Sequence, residues 1–153
     1  MKRITLLLML MATGLLAASG VAWAVTKTCP PDPQTCSGTS GADVLKSTSQ
    51  DNNMFGKGGN DTYTNFVRGN SGLDLILDTG GTDKLLLTNY HKSEVQISAE
   101  DVVNKNGKAD SLLLTLGKGT QNQVLIAYYF DDTRSKPPYK RGSGLIEAIQ
   151  LLK

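Results

Sequence analysis

The chain has few of the residues on which catalysis, zinc binding and nucleic-acid binding usually depend. It contains one histidine, His91, and two cysteines, and it carries no nucleophile-elbow, zinc-protease or phosphate-loop motif. A general base needs a positioned partner, so an isolated histidine is more typical of a solvated loop than of an active site. The formal net charge of only +2 gives no reason to expect nucleic acid as a partner. The sequence therefore indicates a protein that is not an enzyme.

The one long apolar run lies at the amino terminus. Residues 4–18 are almost entirely apolar and follow two basic residues, and Ala22-Trp-Ala24 supplies a small-x-small cleavage pattern. This arrangement is typical of a secretory signal peptide covering residues 1–24. An uncleaved membrane anchor is the alternative, because residues 4–24 are just long enough to span a bilayer. We expect cleavage, which leaves a secreted chain with no membrane span and no net formal charge.

Both cysteines follow the predicted cleavage site, in a proline-rich lead-in of residues 25–37. Export places Cys29 and Cys36 in an oxidising compartment, which favours a disulfide between them. Metal binding is the alternative, but two cysteines without a nearby histidine cannot complete a zinc site. We expect a disulfide that pins the lead-in beside the segment that follows it.

Residues 38–86 consist of five nine-residue units, with a four-residue insert at residues 65–68. Their shared pattern is Gly-Gly-x-Gly-x-Asp-x-apolar-x, which is typical of a calcium-binding parallel β-roll. The units begin at Gly38, Ser47, Gly56, Gly69 and Asp78. A fixed period of this kind predicts the fold and the ligand together.

Each half of the repeat has its own chemistry. Glycines allow the positive φ angles of a tight turn, and the sixth position adds a carboxylate to the carbonyl oxygens of that turn. Calcium takes about six to eight oxygen ligands, so two facing loops can complete a site that one loop cannot. The eighth position points inward, and stacking of the units buries it in a thin core. The eighth-position residues are Leu45, Met54, Tyr63, Ile76 and Leu85. The predicted calcium-binding residues are Gly38, Gly41, Asp43, Gly56, Gly58, Gly59, Asp61, Gly69, Gly72, Asp74, Gly81 and Asp83.

The repeats resemble those of the repeats-in-toxin family, also called haemolysin-type calcium-binding repeats. In that family one coil contains two nonapeptides, so the resemblance implies that Asp43 faces Asp61, with the next pair, Asp61 and Asp83, separated by the insert. The second unit departs from the pattern, because it has no glycine and carries Asn52 in place of the aspartate. Its pairing with Asp74 is expected to bind calcium less well than the Asp43–Asp61 pair, with either a neutral oxygen from Asn52 or the carboxylate of Asp51 in place of the missing aspartate.

Beyond residue 86 the nine-residue period ends, and short apolar runs alternate with turns over residues 87–153. The Asn106-Gly107 pair predicts a β-hairpin. Strands are expected at residues 85–90, 94–98, 111–116 and 123–130, and residues 145–152 form either a strand or a short helix. In the family that the repeats resemble, strands after the array extend the roll, which implies a C-terminal β cap that covers its open edge.

A basic loop lies within this C-terminal segment. It contains Arg134, Lys136, Lys140 and Arg141. A solvated loop is the plainer interpretation, and contact with an anionic cell-surface polymer or lipid is the alternative.

The sequence as a whole predicts an all-β protein, a short parallel β-roll of nonapeptide repeats continued by a C-terminal β-strand cap. Its expected ligand is Ca²⁺, and its expected role is structural or interactive. The alternative function is an accessory fragment or support of a secreted hydrolase or toxin. Two other interpretations remain open, a glycine- and aspartate-rich turn series in an ordinary β protein and a roll that has lost its ion.

Overall fold

The computed structural model describes residues 23–32, 34–69, 72–103, 105, 107–118, 122–130 and 146–152. These residues form an all-β structure, in which a three-residue 3-10 turn at Lys92–Glu94 is the only helix described. The strands are β1 (Thr26–Thr28), β2 (Thr35–Ser37), β3 (Val44–Lys46), β4 (Asn53–Phe55), β5 (Thr62–Thr64), β6 (Leu73–Leu77), β7 (Asp83–His91), β8 (Val95–Glu100), β9 (Ser111–Leu116), β10 (Asn122–Ile126) and β11 (Ile146–Leu152).

The first seven strands alternate between two separate sheets. One sheet has the order β1-β3-β5-β7-β11, and the other has the order β2-β4-β6-β10-β9-β8. Every pairing among the first seven strands is parallel. Each strand from β1 to β5 pairs with the strand two further along the chain, so two nine-residue units make one coil. The prediction of an all-β fold with parallel strands is confirmed.

The strand register records the four-residue insert. Val44 pairs with Thr62, and the corresponding hydrogen bond between Asp43 and Asp61 spans 18 residues. One coil later Thr62 pairs with Lys84, and the corresponding hydrogen bond spans 22 residues. The longer coil contains the insert at residues 65–68, which leaves the alternation of the strands intact.

Both sheets begin ahead of the first predicted repeat. β1 and β2 lie within the lead-in and pair with β3 and β4, although no glycine marks this stretch as a repeat. Cys36 takes the inward eighth position of this coil and is bonded to Cys29, as predicted. Both cysteines are buried, at 0% and 2% exposed. The disulfide therefore covers the amino-terminal end of the core.

The eighth-position side chains form the core between the sheets. All five predicted inward residues, from Leu45 to Leu85, are fully buried. In β3, β4 and β5 each central buried residue is flanked by two half-exposed ones, as expected for strands with one face against the core. Burying a side chain the size of leucine stabilises a protein by about 1.5–3 kcal/mol. A single unit buries almost no apolar surface alone, so this stabilisation comes from stacking the units on one another.

The C-terminal segment extends both sheets. β10 pairs with β6 and β11 pairs with β7, both in parallel, so residues 146–152 form a strand rather than a helix. β8 and β9 form the antiparallel hairpin that the Asn106-Gly107 pair predicts, and Gly107 has a φ of 83°. β10 ends at Ile126 rather than at residue 130, because Tyr128 takes a φ of 63° that no strand can accommodate.

The insert docks against the C-terminal segment. The Val67 carbonyl oxygen accepts hydrogen bonds from the Tyr90 hydroxyl at 3.1 Å and from the Asn122 side-chain amide at 2.9 Å. Arg68 pairs with Glu94 through both terminal guanidinium nitrogens. The Arg68 guanidinium also lies 5.1 Å from the centre of the Tyr90 ring. The insert thus joins the repeats to the strands that follow them.

Phe66 should be the main apolar anchor of this junction. It is 2% exposed, so Phe66→Ala should lower the free energy of unfolding by about 3–5 kcal/mol through the cavity it leaves. Val67 is the matched control, because it is 37% exposed and its hydrogen bonds use the backbone carbonyl. Val67→Ala should cost less than about 1 kcal/mol in equilibrium urea unfolding. Equal losses for the two variants would contradict the anchoring role.

Candidate metal centre

Aspartates stack along the edge where the chain passes from the β2-containing sheet to the β1-containing sheet. Asp43, Asp61 and Asp83 are all at most 1% exposed. Oδ1 of Asp61 accepts the backbone N–H of Asp43, and Oδ1 of Asp83 accepts that of Asp61, both at 2.8 Å. We call these three residues the aspartate ladder. Each carboxylate reaches back one coil, so the ladder ties consecutive coils together.

Asp78 brings another carboxylate to this edge. It stands at the first position of the fifth unit, where the first and third units have glycine. One carboxylate oxygen from each of Asp61, Asp78 and Asp83 lies within 4.8 Å of the other two. Oxygens that bind one Ca²⁺ at 2.3–2.6 Å lie at most about 5 Å apart. The spacing of these three residues, the carboxylate cluster, therefore fits a single shared ion.

The oxygens of the cluster differ in their hydrogen bonds. Oδ1 of Asp78 accepts the N–H of Thr79 at 2.6 Å and that of Gly80 at 3.1 Å, while the Tyr63 hydroxyl donates to Oδ2. Oδ2 of Asp61 is buried and has no hydrogen-bond partner among the described residues. A buried oxygen left without a partner is unfavourable, and a cation would supply one.

Gly56 provides the space in which these oxygens meet. A Cβ atom on Gly56 would lie 2.2 Å from the Tyr63 hydroxyl and 2.3 Å from Oδ2 of both Asp61 and Asp78. Real Cβ atoms do not approach other heavy atoms this closely, so any side chain here would push the oxygens apart. The absence of a side chain at Gly56 therefore leaves the room in which these three side-chain ends converge.

Burial and like charges raise the pKa values in the cluster. Desolvation raises the pKa of Asp61 to about 6, with a further contribution from the charges of Asp78 and Asp43. Burial also raises the pKa of Asp78. Desolvation, and then the Asp78 charge, raises the pKa of the Tyr63 hydroxyl, which remains a hydrogen-bond donor. Buried carboxylates this close together require protons or a cation to offset their repulsion.

The sequence predicts that Asp43 faces Asp61 in the best single calcium site. In the structure the two residues lie on neighbouring coils, joined by a backbone-to-carboxylate hydrogen bond. The Asp43 carboxylate, however, already has several donors. Oδ1 accepts the N–H of Val25 at 2.6 Å, Oδ2 accepts the N–H of Thr39, and the Thr39 hydroxyl lies 3.1 Å from both oxygens. The carboxylates instead converge one coil later, around Asp61.

The predicted glycines of this edge lie in stacked turns. They are Gly38, Gly41, Gly58, Gly59 and Gly81. Gly59 has a φ of 106° and Gly81 has a φ of 136°. A Cβ on Gly81 would lie 1.5 Å from the Gly59 carbonyl oxygen, so only glycine allows the two turns to approach.

The opposite edge of the two sheets has a different chemistry. Oδ1 of Asp74 accepts the backbone N–H of Asn52 at 3.0 Å, and Oδ2 accepts the Ser47 hydroxyl at 2.8 Å. The Asn52 side-chain oxygen accepts the backbone N–H of Thr48 at 2.8 Å. Gly69 and Gly72 lie in the loop before Asp74, where a Cβ on Gly69 would meet nothing within 4 Å. Asp74 belongs to no group of three metal-ligating side chains in the described part of the chain.

Sequence reasoning did not assign Asp78 or Tyr63 to the site. The segment Asp78-Thr-Gly-Gly-Thr-Asp83 has a carboxylate at each end of a glycine turn, which is a signal for paired ligands. Tyr63 is the one eighth-position residue with a polar atom, and that hydroxyl is the reason it reaches the cluster. Both signals are visible in the five repeat units.

The predicted basic loop and most of the predicted signal peptide are not described by the structure. The basic residues Arg134, Lys136, Lys140 and Arg141 and residues 1–22 of the predicted signal peptide lie outside the described residues. Within the described ranges no helix is long and apolar enough to cross a membrane.

In comparisons with known proteins, no family model, curated protein or solved structure matches this chain.

The raised carboxyl pKa values determine how the metal-free protein responds to pH. The pKa values of Asp61 and Asp74 are both about 6 in the folded state, above the ordinary value of 3.8. The folded state therefore binds these protons more tightly than the unfolded state, and protonation stabilises the fold. This stabilisation is complete below pH 3.8 and is lost as the pH rises through 6.

With a chelator present, lowering the pH from about 7 to about 5 should raise the melting temperature by a few degrees, as followed by circular dichroism. Asp61→Asn and Asp74→Asn should each reduce this rise, because each removes one titrating group. A melting temperature that falls over the same range, or a rise that neither variant reduces, would contradict the expectation.

Proposed function

We propose that this protein is a small secreted calcium-binding protein of structural or interaction type. In this proposal its repeats form a parallel β-roll, completed by a C-terminal β cap, that folds by coordinating calcium between coils. The observation that carries the proposal is the carboxylate cluster of Asp61, Asp78 and Asp83, in which the Asp61 Oδ2 atom is buried without a hydrogen-bond partner. The alternation of parallel strands between two sheets supports it, and so does the disulfide.

The donor chemistry of the cluster favours a hard divalent cation. All the side-chain atoms that could bind a metal ion here are oxygens: those of the three carboxylates and of the neighbouring Tyr63 hydroxyl. Zinc is bound mainly by nitrogen and sulfur ligands, and magnesium usually keeps several waters in a strict octahedral geometry. Calcium accepts irregular sets of about six to eight oxygens, including backbone carbonyls, and the glycine turns of the repeats carry such carbonyls.

An ion in the cluster would bridge two neighbouring coils. Asp61 ends the turn between β4 and β5, whereas Asp78 and Asp83 flank the turn between β6 and β7. The ion would also offset the repulsion of carboxylates that are at most 7% exposed. Because the three ligands come together only in the folded chain, calcium would stabilise folding by mass action. Affinities of about 10⁻⁴–10⁻³ M are sufficient for extracellular modules.

Neutralising one ligand should weaken calcium binding. Asp61→Asn or Asp78→Asn should each raise the calcium Kd by at least about tenfold in isothermal titration calorimetry, since charge is lost at nearly constant shape. Asp32→Asn is the matched control, because Asp32 is an exposed carboxylate outside the cluster, and it should leave the Kd unchanged. Asp43→Asn should have a smaller effect than Asp61→Asn, because its oxygens have protein donors.

The same titration can overturn the proposal. Uptake of no calcium by the wild-type protein, together with a melting temperature that is equal in calcium and in chelator, would show that the repeats are not held together by the ion. Equal weakening by Asp61→Asn and Asp32→Asn would show that binding does not involve the cluster.

Terbium offers a direct test of where the ion binds. Tb³⁺ replaces Ca²⁺ in oxygen sites and emits light when a nearby phenol is excited. The Tyr63 hydroxyl bonds to a cluster carboxylate, so excitation of tyrosine should give strong Tb³⁺ emission that excess calcium removes. Tyr63→Phe should abolish most of the emission, whereas Tyr90→Phe should keep it, because the Tyr90 hydroxyl bonds to the Val67 carbonyl at the insert. Emission unaffected by Tyr63→Phe would place the ion elsewhere.

A further inference from the structure

The aspartate ladder ends at Val25. The backbone N–H of Val25 donates to Oδ1 of Asp43 at 2.6 Å. The same kind of hydrogen bond joins the N–H of Asp43 to Asp61 and the N–H of Asp61 to Asp83. Val25 precedes Asp43 by 18 residues, the same spacing that separates Asp43 from Asp61. Val25 therefore holds the ladder position of the first coil, although it has no carboxylate of its own.

At this end of the ladder the described residues give Asp43 no positively charged partner. The residue as a whole is 1% exposed. Its donors among the described residues are the N–H groups of Val25 and Thr39, together with the Thr39 hydroxyl, whose one proton is shared with the Trp23 carbonyl; all of them are neutral within an intact chain. A buried carboxylate with neutral partners only is less stable than one that also meets a cation.

The predicted signal-peptide cleavage site lies at this same point, between Ala24 and Val25. Hydrolysis of that peptide bond uses one water molecule and leaves a carboxylate on the released Ala24. The nitrogen of Val25 becomes a free amine, which carries a proton and a positive charge at neutral pH. The group that donates to Asp43 would then be an ammonium rather than an amide.

We propose that removal of the signal peptide creates the missing cation, and that the α-ammonium group of Val25 pairs with the buried Asp43 carboxylate to close the amino-terminal end of the ladder. In the precursor only the acceptor of this hydrogen bond is charged, whereas in the mature chain the ammonium donor and the carboxylate acceptor carry opposite charges, which adds their electrostatic attraction. Export processing is thereby coupled to the stability of the first coil, and this end of the array needs no metal ion.

The surroundings of the cleavage site allow this exchange. Ala24 is exposed, and Trp23 is 80% exposed, so releasing them removes little packing. The hydrogen bond described for this stretch joins the Trp23 carbonyl to the Thr39 hydroxyl at 3.1 Å. Because Trp23 and Ala24 are exposed, two residues placed before Val25 in a control chain should also have room at the surface.

The test compares two full-length precursors expressed with export and processing. One is the natural sequence, and the other has Ser-Gly inserted between Ala24 and Val25. After processing, the inserted chain keeps the Val25 N–H but carries its ammonium two residues further out. Each precursor is also made with Asp43→Asn, and mass spectrometry of the purified proteins should place the natural amino terminus at Val25. Melting temperatures are measured with chelator present, so that calcium binding plays no part.

The insertion should lower the melting temperature by about 3–8 °C when Asp43 is present, and by less than about 1 °C in the Asp43→Asn background. An equal shift in both backgrounds, no shift in either, or a natural amino terminus other than Val25 would overturn the proposal. None of these outcomes depends on whether the carboxylate cluster binds calcium, because every measurement is made without free metal.

Discussion

The structure depends on carboxylates that are buried where the chain turns from one sheet to the other. A buried charge is tolerated only when it is hydrogen-bonded and offset by an opposite charge or a proton. Asp43, Asp61 and Asp83 meet the first condition by accepting an N–H from the preceding coil. The aspartate ladder therefore runs beside the apolar core, and its contribution to stability depends on which proton or cation offsets its negative charge.

The two edges of the sheets meet this constraint differently. At the other edge, the two carboxylate oxygens of Asp74 accept hydrogen bonds from the Ser47 hydroxyl and the Asn52 N–H. Asn52 itself stands where the repeat pattern has an aspartate. At the edge that contains Asp61, three carboxylates converge, and Oδ2 of Asp61 has no hydrogen-bond donor among the described residues. One edge is thus held mainly by hydrogen bonds within the chain, whereas the other has negative charge in excess of its donors.

Much of the fold follows from the repeat, because its period specifies which residues alternate between the core and the surface. The inward positions from Leu45 to Leu85 and the parallel strands could be predicted in this way, and the disulfide could be predicted separately, from two cysteines in an exported chain. The first coil could not, because a disulfide and prolines replace its glycines and leave no pattern to recognise. In the carboxylate cluster Asp61 and Asp83 were predicted and Asp78 was not, since Asp78 occupies a position that the pattern reserves for glycine. The docking of the insert also depends on Tyr90 and Asn122, which are distant in sequence and follow no period.

The alternation of strands between two sheets restricts how the length of such a chain can change. Loss or gain of a single nonapeptide would move every later strand to the opposite sheet and bring the Asp74 edge into line with the ladder edge. Two nonapeptides can be added or removed together without this exchange, because the register between Val44 and Thr62 already spans such a pair. A four-residue insertion is equally harmless, because it lengthens a loop and leaves the order of strands unchanged. Arrays of this kind are therefore expected to grow and shrink by whole coils, with irregular lengths confined to the loops.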